Sequence, residues 1–369
     1  MKVKHLHIFY HINIDNKSTG GIINFLRGFA EKIQNMEKIT YYSLDYGRDY
    51  EGYNNIEKVY FKKMNNNANI KTKIPNNLIY ILCLIKNFAF KNFDQDSLLL
   101  FNRSDHVLPL ILKRGKKILI GHGSSENDKI YYKNQWLKRA YITISERLAI
   151  KAMDAVVLVS MDGLQYYEKK YKKYAYKFHY IPTFYDDKKF YNKGLVKDKE
   201  CINYIYTGRF VKVKGMYELL EYVKYLNINK VNFKLTMIGE GELEHIFEGQ
   251  ENVKIVHNLK QEEVCDYLNK SDIFLFFSYM EGTPLSLIES MAVGTVAITS
   301  DYSEFRNIIE DGYNGFKIPN IMDSFVDILN KSNLIKNNQD KFRDNCIEFS
   351  LRFEIVKVIK QWNDLIESI

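Results

Sequence analysis

Short apolar runs rich in β-branched and aromatic residues recur along the chain, separated by longer segments with helical spacing. In the first half the runs are Leu6–Tyr10, Leu98–Phe101, Ile118–Ile120, Ala155–Val159 and Phe178–Ile181. In the second half they are Tyr204–Tyr206, Phe233–Ile238, Val253–Val256, Ile273–Phe277 and Val296–Thr299. Runs this continuous, without polar alternation, predict strands covered on both faces. Helical patterns lie between them at Ile22–Ile33, Met216–Leu226, Glu262–Asn269 and Leu285–Val293. Strand–helix–strand repetition in both halves predicts an α/β protein of two doubly wound, Rossmann-like domains. The polar stretch Pro182–Asp198 sets the boundary, giving domains at 1–184 and 185–349 and a closing helical segment at 350–369. The longest apolar stretch, Leu78–Phe90, includes Lys86 and Asn87 and is short of the roughly 20 apolar residues a membrane-spanning helix needs. The start, Met1–His11, reads as a first strand rather than a signal peptide, because histidines interrupt its apolar run and no small-residue cleavage site follows.

In doubly wound sheets ligands bind at the carboxyl ends of strands, and two such domains facing each other would enclose a cleft. The richest candidate follows the strand Ile273–Phe277, in the stretch Ser278 to Glu289. Thr283 fits an N-cap and Pro284 the first helical position, which needs no amide donor. The amides of Leu285, Ser286 and Leu287 are then expected at a positive helix end, an anion site. Glu281 lies in the loop before that helix and Glu289 in its second turn. A carboxylate repels phosphate, so these two suit hydroxyl groups, and phosphates flanked by hydroxyls describe a nucleotide-sugar. The competing role for both is to complement the helix dipole. Arg209, after Gly208, and Lys214, before Gly215, are expected to clamp a diphosphate. Gly239-Glu240-Gly241 would let a nucleotide approach the backbone, although it lacks the third glycine of a dinucleotide fingerprint.

The first half offers Gly20 and Gly21 ahead of the helix Ile22–Ile33, where close approach of phosphate or sugar competes with a plain turn. His122, between Gly121 and Gly123 at a strand end, is placed to meet substrate, whereas His5 and His7 pack within a strand. Asp94-Gln95-Asp96 precedes a strand and reads as an acidic turn, so no catalytic metal is expected.

Charge changes the picture more than composition does. Residues 1–184 hold 30 Lys and Arg against 16 Asp and Glu, whereas 185–369 hold 23 against 29. The basic half would attract anionic lipid or an anionic polymer, unless its lysines simply keep a solvated surface. The basic aromatic stretch Tyr166–Tyr180 is the first candidate for such a face, with a solvated helix as the alternative. No platform of base-stacking aromatics is specified, so nucleic acid is not an expected partner. The four cysteines, Cys83, Cys201, Cys265 and Cys346, are far apart, which excludes a zinc ribbon or disulfide scaffold and fits a reducing compartment.

With these motifs in this order, the chain resembles the retaining GT-B glycosyltransferases of family GT4. The resemblance rests on Gly20-Gly21, the His122 turn, Asp154–Ser160, Tyr180-Ile181-Pro182 and the Gly208-Arg209…Lys214-Gly215 loop. It continues through Ile238–Gly241, the pair Glu281 and Glu289 with seven residues between them, Glu289–Gly294 and Asp311–Phe316. It implies that Gly20 and Gly21 border the donor diphosphate and acceptor, and that Arg209 and Lys214 hold the departing diphosphate. Glu281 would bind hydroxyls of the transferred sugar, Glu289 the ribose, and His122 the sugar near its reacting carbon. The backbone near Asn258 and Leu259 would meet the base, with Gly208, Thr283, Leu285 and Ser286 completing the donor site. The segment Ser350–Ile369 resembles the family's last helix, which crosses back onto the first domain.

Three positions depart from the pattern: Thr183 where asparagine is usual, Asn258 where glycine is usual, and Thr283 where an aromatic residue is commoner. The implied activity is retaining transfer of a sugar from a nucleotide-diphosphate sugar, UDP by family frequency, to a glycan or lipid-linked acceptor. Bacterial surface polysaccharide or lipopolysaccharide synthesis is the implied setting, in the cytoplasm or on the inner face of the cell membrane. No cofactor besides the donor substrate is expected. A nucleotide-sugar epimerase of similar architecture and a non-catalytic donor-binding partner are the alternatives.

Overall fold

The computed structural model describes residues 3–15, 21–45, 56–62, 75–122, 136–195, 197–198, 200–279, 281, 284–302 and 305–369. The chain forms two compact units, one of Met1–Pro182 with Val356–Ile369 and one of Thr183–Ile355.

The first unit is built on a seven-stranded parallel sheet. Its strands are β1 (His5–Phe9), β2 (Lys38–Leu44), β3 (Glu57–Phe61), β4 (Ser97–Phe101), β5 (Lys116–Gly121), β6 (Ala155–Leu158) and β7 (Phe178–Tyr180). They lie in the order β3-β2-β1-β4-β5-β6-β7. β4 is buried along its whole length, as a central strand covered by helices on both faces must be. Helices α1 (Gly21–Lys32), α2 (Asn76–Phe88), α3 (Ser104–Val107), α4 (Trp136–Ala152) and α5 (Met161–Lys170) connect these strands.

The second unit carries a six-stranded parallel sheet of β8 (Ile202–Thr207), β9 (Phe233–Ile238), β10 (Val253–Val256), β11 (Ile273–Phe276), β12 (Val296–Ser300) and β13 (Gly315–Ile318). The order is β10-β9-β8-β11-β12-β13. Its helices are α6 (Met216–Ile228), α7 (Gln261–Asn269), α8 (Leu285–Ala292), α9 (Phe325–Asn337) and α10 (Gln339–Ser350). The final helix, α11 (Ile355–Ser368), packs in the first unit through the fully buried Trp362, whose indole lies 5.0 Å from the Phe29 ring and 6.3 Å from that of Phe25.

Both sheets reverse direction once, between β1 and β4 and between β8 and β11. At such a reversal the following loops part to opposite sides and open a crevice beyond the carboxyl ends. This places the loops after β1 and β4, and those after β8 and β11, where ligands bind in this architecture, with the loop after β5 one strand further along.

Three strands have no counterpart in the apolar-run pattern. β2 and β3 begin with Lys38 and Glu57, which face water at the outer side of the sheet and pair with each other, Nζ to Oε2 at 2.8 Å. β13 has only four residues and includes Lys317. β3 and β13 lie at sheet edges, where polar residues are tolerated, whereas β2 lies between β3 and β1 and its run is interrupted by the buried Thr40 and Ser43.

Candidate functional site

In the second unit the site grows from backbone stitching between loops. The turn after β9 packs so tightly on the loop after β8 that a Cβ at Gly239 would lie 1.9 Å from the Gly208 carbonyl. Gly208 N–H donates to Ile238 O at 3.0 Å and Phe210 N–H to Glu240 O at 2.9 Å. The expectation that Gly239 and Gly241 leave room for a nucleotide is therefore corrected. A Cβ at Gly241 would lie 2.4 Å from the Phe210 carbonyl, so both glycines serve the neighbouring loop.

The same loop delivers Lys214. Residues Lys212–Lys214 form a single 3-10 turn ending at Gly215, whose φ of 73° lies in the left-handed region. A Cβ there would lie 2.3 Å from the Phe277 carbonyl, so the turn presses directly on the end of β11. Tyr279 N–H donates to Val213 O at 2.9 Å and Ser278 Oγ to the same carbonyl at 3.2 Å. These bonds lock the Lys214 turn to the segment that carries Glu281. The consequence is an ion pair between Lys214 Nζ and Glu281 Oε1, with the two side chains only 15% and 9% exposed. The Lys214 ammonium also lies 5.6 Å from the centre of the Phe276 ring.

Helix α8 starts one residue later than its sequence suggests. Pro284 is the N-cap, with extended φ and ψ of −75° and 93°, and its carbonyl accepts from Leu287 N–H at 3.0 Å and Ile288 N–H at 3.2 Å. The Leu287 amide is thus used internally, which corrects the expected trio. Leu285 and Ser286 retain amides without a helical carbonyl behind them. Thr283 and Gly20 lie outside the described residues.

Glu289, one turn further along α8, is half-buried, and burial pushes its carboxyl up to about 8 against a weaker opposing effect of Lys189. Arg209 is exposed, and among the described residues its side chain has no ion-pair partner; its carbonyl accepts from Tyr206 Oη at 2.9 Å. Asn258 is exposed and has φ of 55°. The usual glycine is replaced here by one of the few other residues that tolerate a left-handed backbone, so the turn survives the substitution. Leu259 beside it packs half-buried on the second unit's core.

Residues 187–351 match the family model of glycosyl transferases group 1. That match covers nearly all of the second unit. Among curated relatives, the chain is 34% identical over 126 residues to the amylovoran biosynthesis glycosyltransferase AmsK of Erwinia amylovora, covering 31% of this chain and 31% of that enzyme. It therefore spans about a third of the AmsK length. It is 22% identical over 292 residues to a PP-undecaprenol-linked-glycan α-1,4-N-acetyl-D-galactosaminyltransferase of Campylobacter jejuni, covering 76% of this chain and 77% of that one. Sucrose-phosphate synthase from Thermosynechococcus elongatus superimposes with a TM-score of 0.79 at 15% identity, over 99% of this chain and 98% of the other. Anabaena HepE, solved with UDP and glucose, superimposes with a TM-score of 0.71 at 12% identity over all of both chains. The fold is GT-B, with two Rossmann-like domains. The matching family model and both of these relatives are named for glycosyl transfer.

Within the matched residues the expected Gly208, Arg209, Lys214, Asn258, Leu259, Glu281, Leu285, Ser286 and Glu289 lie in the loops that follow β8 and β10 or in the loop and helix that follow β11. The Lys214–Glu281 pairing has no sequence signal, because the two stand 67 positions apart. Thr207, the last residue of β8, adds a buried hydroxyl without a hydrogen-bond partner among the described residues, marked in the sequence only by standing before Gly208.

In the first unit, His122 follows β5 and its Nε2 lies 2.9 Å from Asn102 Oδ1. Burial lowers the imidazole to about 4, so the ring is neutral near pH 7. Asn102 is buried, its Nδ2 has no hydrogen-bond partner among the described residues, and it directly follows β4, as His122 follows β5. A polar residue placed right after an apolar strand is the signal by which it can be found. Gly21 opens α1, and a Cβ there would meet nothing within 4 Å, so sterics alone do not demand glycine.

Asp94 and Asp96 lie in the turn before β4, and with His5 their ligand atoms fall within 4.8 Å of one another. That group sits at the amino end of the sheet, away from His122 and Asn102, and exposed acidic groups commonly gather in this way. The basic stretch Tyr166–Tyr180 is tied into its own unit. Lys170 pairs with the buried Glu146, and Lys177 Nζ donates to Met153 O at 2.6 Å and Lys151 O at 3.0 Å.

Proposed function

We propose that the protein is a retaining glycosyltransferase of the GT4 kind that moves a sugar from a UDP-sugar to a lipid-linked or surface glycan of a bacterial cell. The observation that carries this reading is the Lys214–Glu281 ion pair beside the open amino end of α8. A cation, a carboxylate and helical amides held together accommodate a molecule that has both phosphates and hydroxyls. Arg209 and Lys214 take the diphosphate and stabilise the charge that builds as it departs. Glu281 accepts from hydroxyls of the transferred sugar and Glu289 from the ribose, while the backbone at Asn258 and Leu259 meets the base. Gly208, Leu285 and Ser286 offer backbone donors to the phosphates. His122, Gly20 and Gly21 are assigned to sugar, diphosphate and acceptor by the resemblance alone.

UDP is favoured because HepE, of the same fold, was solved with UDP and glucose. A lipid-linked acceptor is favoured because the Campylobacter jejuni relative is named for an undecaprenol-linked one. No metal is assigned to the reaction, since the cationic side chains and helix end answer the diphosphate charge. The reading is tested by incubating the purified protein with UDP-sugars and undecaprenol-diphosphate-linked glycans. Transfer that is lost in Glu281→Gln supports it, and release of a free epimerised sugar without acceptor would replace it with an epimerase.

A further inference from the structure

Helix α4 is arranged inside out. Its inward side buries Ser145 and Glu146 beside Ala149 and Ile150, while its outward strip exposes Leu137, Tyr141, Ile144 and Leu148. The spacing of four, three and four residues puts these side chains in one line along the helix. Leu137 is 66% exposed and Ile144 59%. Helix α2 repeats the pattern, with Leu78, Leu82 and Ile85 exposed in a line and Tyr80, Cys83 and Leu84 buried. Tyr80 and Leu84 of α2 share one core cluster with Ala149 and Ile150 of α4, so the two helices cover the same face of the sheet. Both exposed lines therefore point away from it.

Two turns extend this surface. Phe90 and Leu112 are almost wholly exposed, and Lys113 Nζ donates to Ala89 O at 3.0 Å, which holds the two turns together. An exposed apolar surface of this extent marks an interaction site.

Charge decides what covers it. Residues 75–93, 108–117 and 136–152 contain ten Lys and Arg and a single acidic residue, Glu146. Glu146 is buried and paired with Lys170, so the outward charge is entirely positive. A leucine line edged by Arg147 and Lys151, with an exposed Trp136 at the helix start, combines the parts that bind an anionic membrane surface: apolar insertion, cations and an interfacial aromatic. No described helix is long and apolar enough to cross a bilayer, so the fit is to its surface.

We propose that the outer face of α2 and α4 rests on a bilayer of anionic phospholipid. This deepens the proposed function, because an undecaprenol-linked acceptor resides in such a bilayer, and it moves the membrane-facing surface away from Tyr166–Tyr180. The surface does not depend on transfer being correct, since vesicle binding is read without donor or acceptor.

The test is flotation of the full chain with phosphatidylcholine vesicles, with and without phosphatidylglycerol. The protein is expected to float with phosphatidylglycerol vesicles, less so as salt rises, and poorly with phosphatidylcholine alone. The double variant Leu137→Glu/Ile144→Glu should weaken binding by more than about tenfold, a cost of more than about 1.4 kcal/mol. Its thermal transition and circular dichroism should match wild type, which shows that the first unit is folded, and a UDP-induced thermal shift reads the second unit separately. In a Trp362→Phe background Trp136 is the sole tryptophan, and its emission should shift to the blue on binding. Absence of flotation at low salt overturns the proposal, as does undiminished flotation of the double variant. A wild-type dimer in solution that the double variant dissolves would assign the face to a second copy. Flotation without any UDP shift would leave the surface standing and remove the transferase reading.

Discussion

Lys214 and Glu281 form an ion pair that is largely withdrawn from water, held by backbone bonds from Tyr279 and a side-chain bond from Ser278 to the carbonyl of Val213. A lysine and a carboxylate that the proposed function assigns to different parts of a nucleotide-sugar are thus oriented against each other before any ligand arrives. Such preorganisation fixes both groups at little further cost on binding.

Removing one partner strands the other. Lys214→Ala leaves the Glu281 carboxylate mostly buried without its cation, and unfolding in urea should show a loss of about 1–3 kcal/mol. Adding Glu281→Gln to that background should recover part of the loss. An additive double variant would mean that the two groups do not interact.

Glu289 predicts a pH dependence of stability. Its folded carboxyl sits near 8, above the unfolded value of about 4.3, so the native state holds the proton more tightly between those limits. The stability it contributes is full below the unfolded value and is lost as pH rises through the folded one. Glu289→Gln cannot titrate, so its stability relative to wild type should climb from about pH 4.5 to 8 and then level off. Chemical denaturation across that range checks it, and a constant difference would contradict the shift.

Asn258 tests the left-handed turn after β10. Asn258→Gly should leave stability nearly unchanged, because glycine adopts φ of 55° without strain. Asn258→Val should cost about 1–2 kcal/mol, since a β-branched residue resists this backbone. Equal stability of the two variants would show that the turn relaxes.

Trp362 binds the last helix to the first unit. Trp362→Ala removes a fully buried indole from Phe25 and Phe29 and should destabilise by about 3–5 kcal/mol. Hydrogen exchange should show the loss in α1 and α11, with the amides of β8 to β13 unaffected. Uniform loss across both units would show that they unfold together.

The sheets were legible where strands are buried on both faces. Phe233–Ile238 and Val253–Val256 stand in the structure with the bounds their apolar runs suggest. β2 was hidden because the buried Thr40 and Ser43 interrupt its apolar residues, and β3 because it opens with Glu57 and Lys58. The site loops were legible because glycines, a proline and charged residues cluster just past the strand ends. What linear sequence does not carry is which of them meet. Lys214 reaches Glu281 only because Gly215 lets its turn press on Phe277, and the Gly239 turn is occupied by Gly208 rather than open to a ligand. The outward leucines of α4 were hidden for a related reason, since helical periodicity marks an apolar line without saying which side faces the core.

The most direct measurement of the central claim is thermal stabilisation of the full chain by UDP, in wild type, Lys214→Met and Glu289→Gln. A ligand specific for the folded state at a hundredfold over its dissociation constant adds about 2.7 kcal/mol of stability. The account predicts a clear upward shift in wild type and a much smaller one in either variant. An equal shift in all three proteins, or none in wild type with any nucleoside diphosphate, would contradict it.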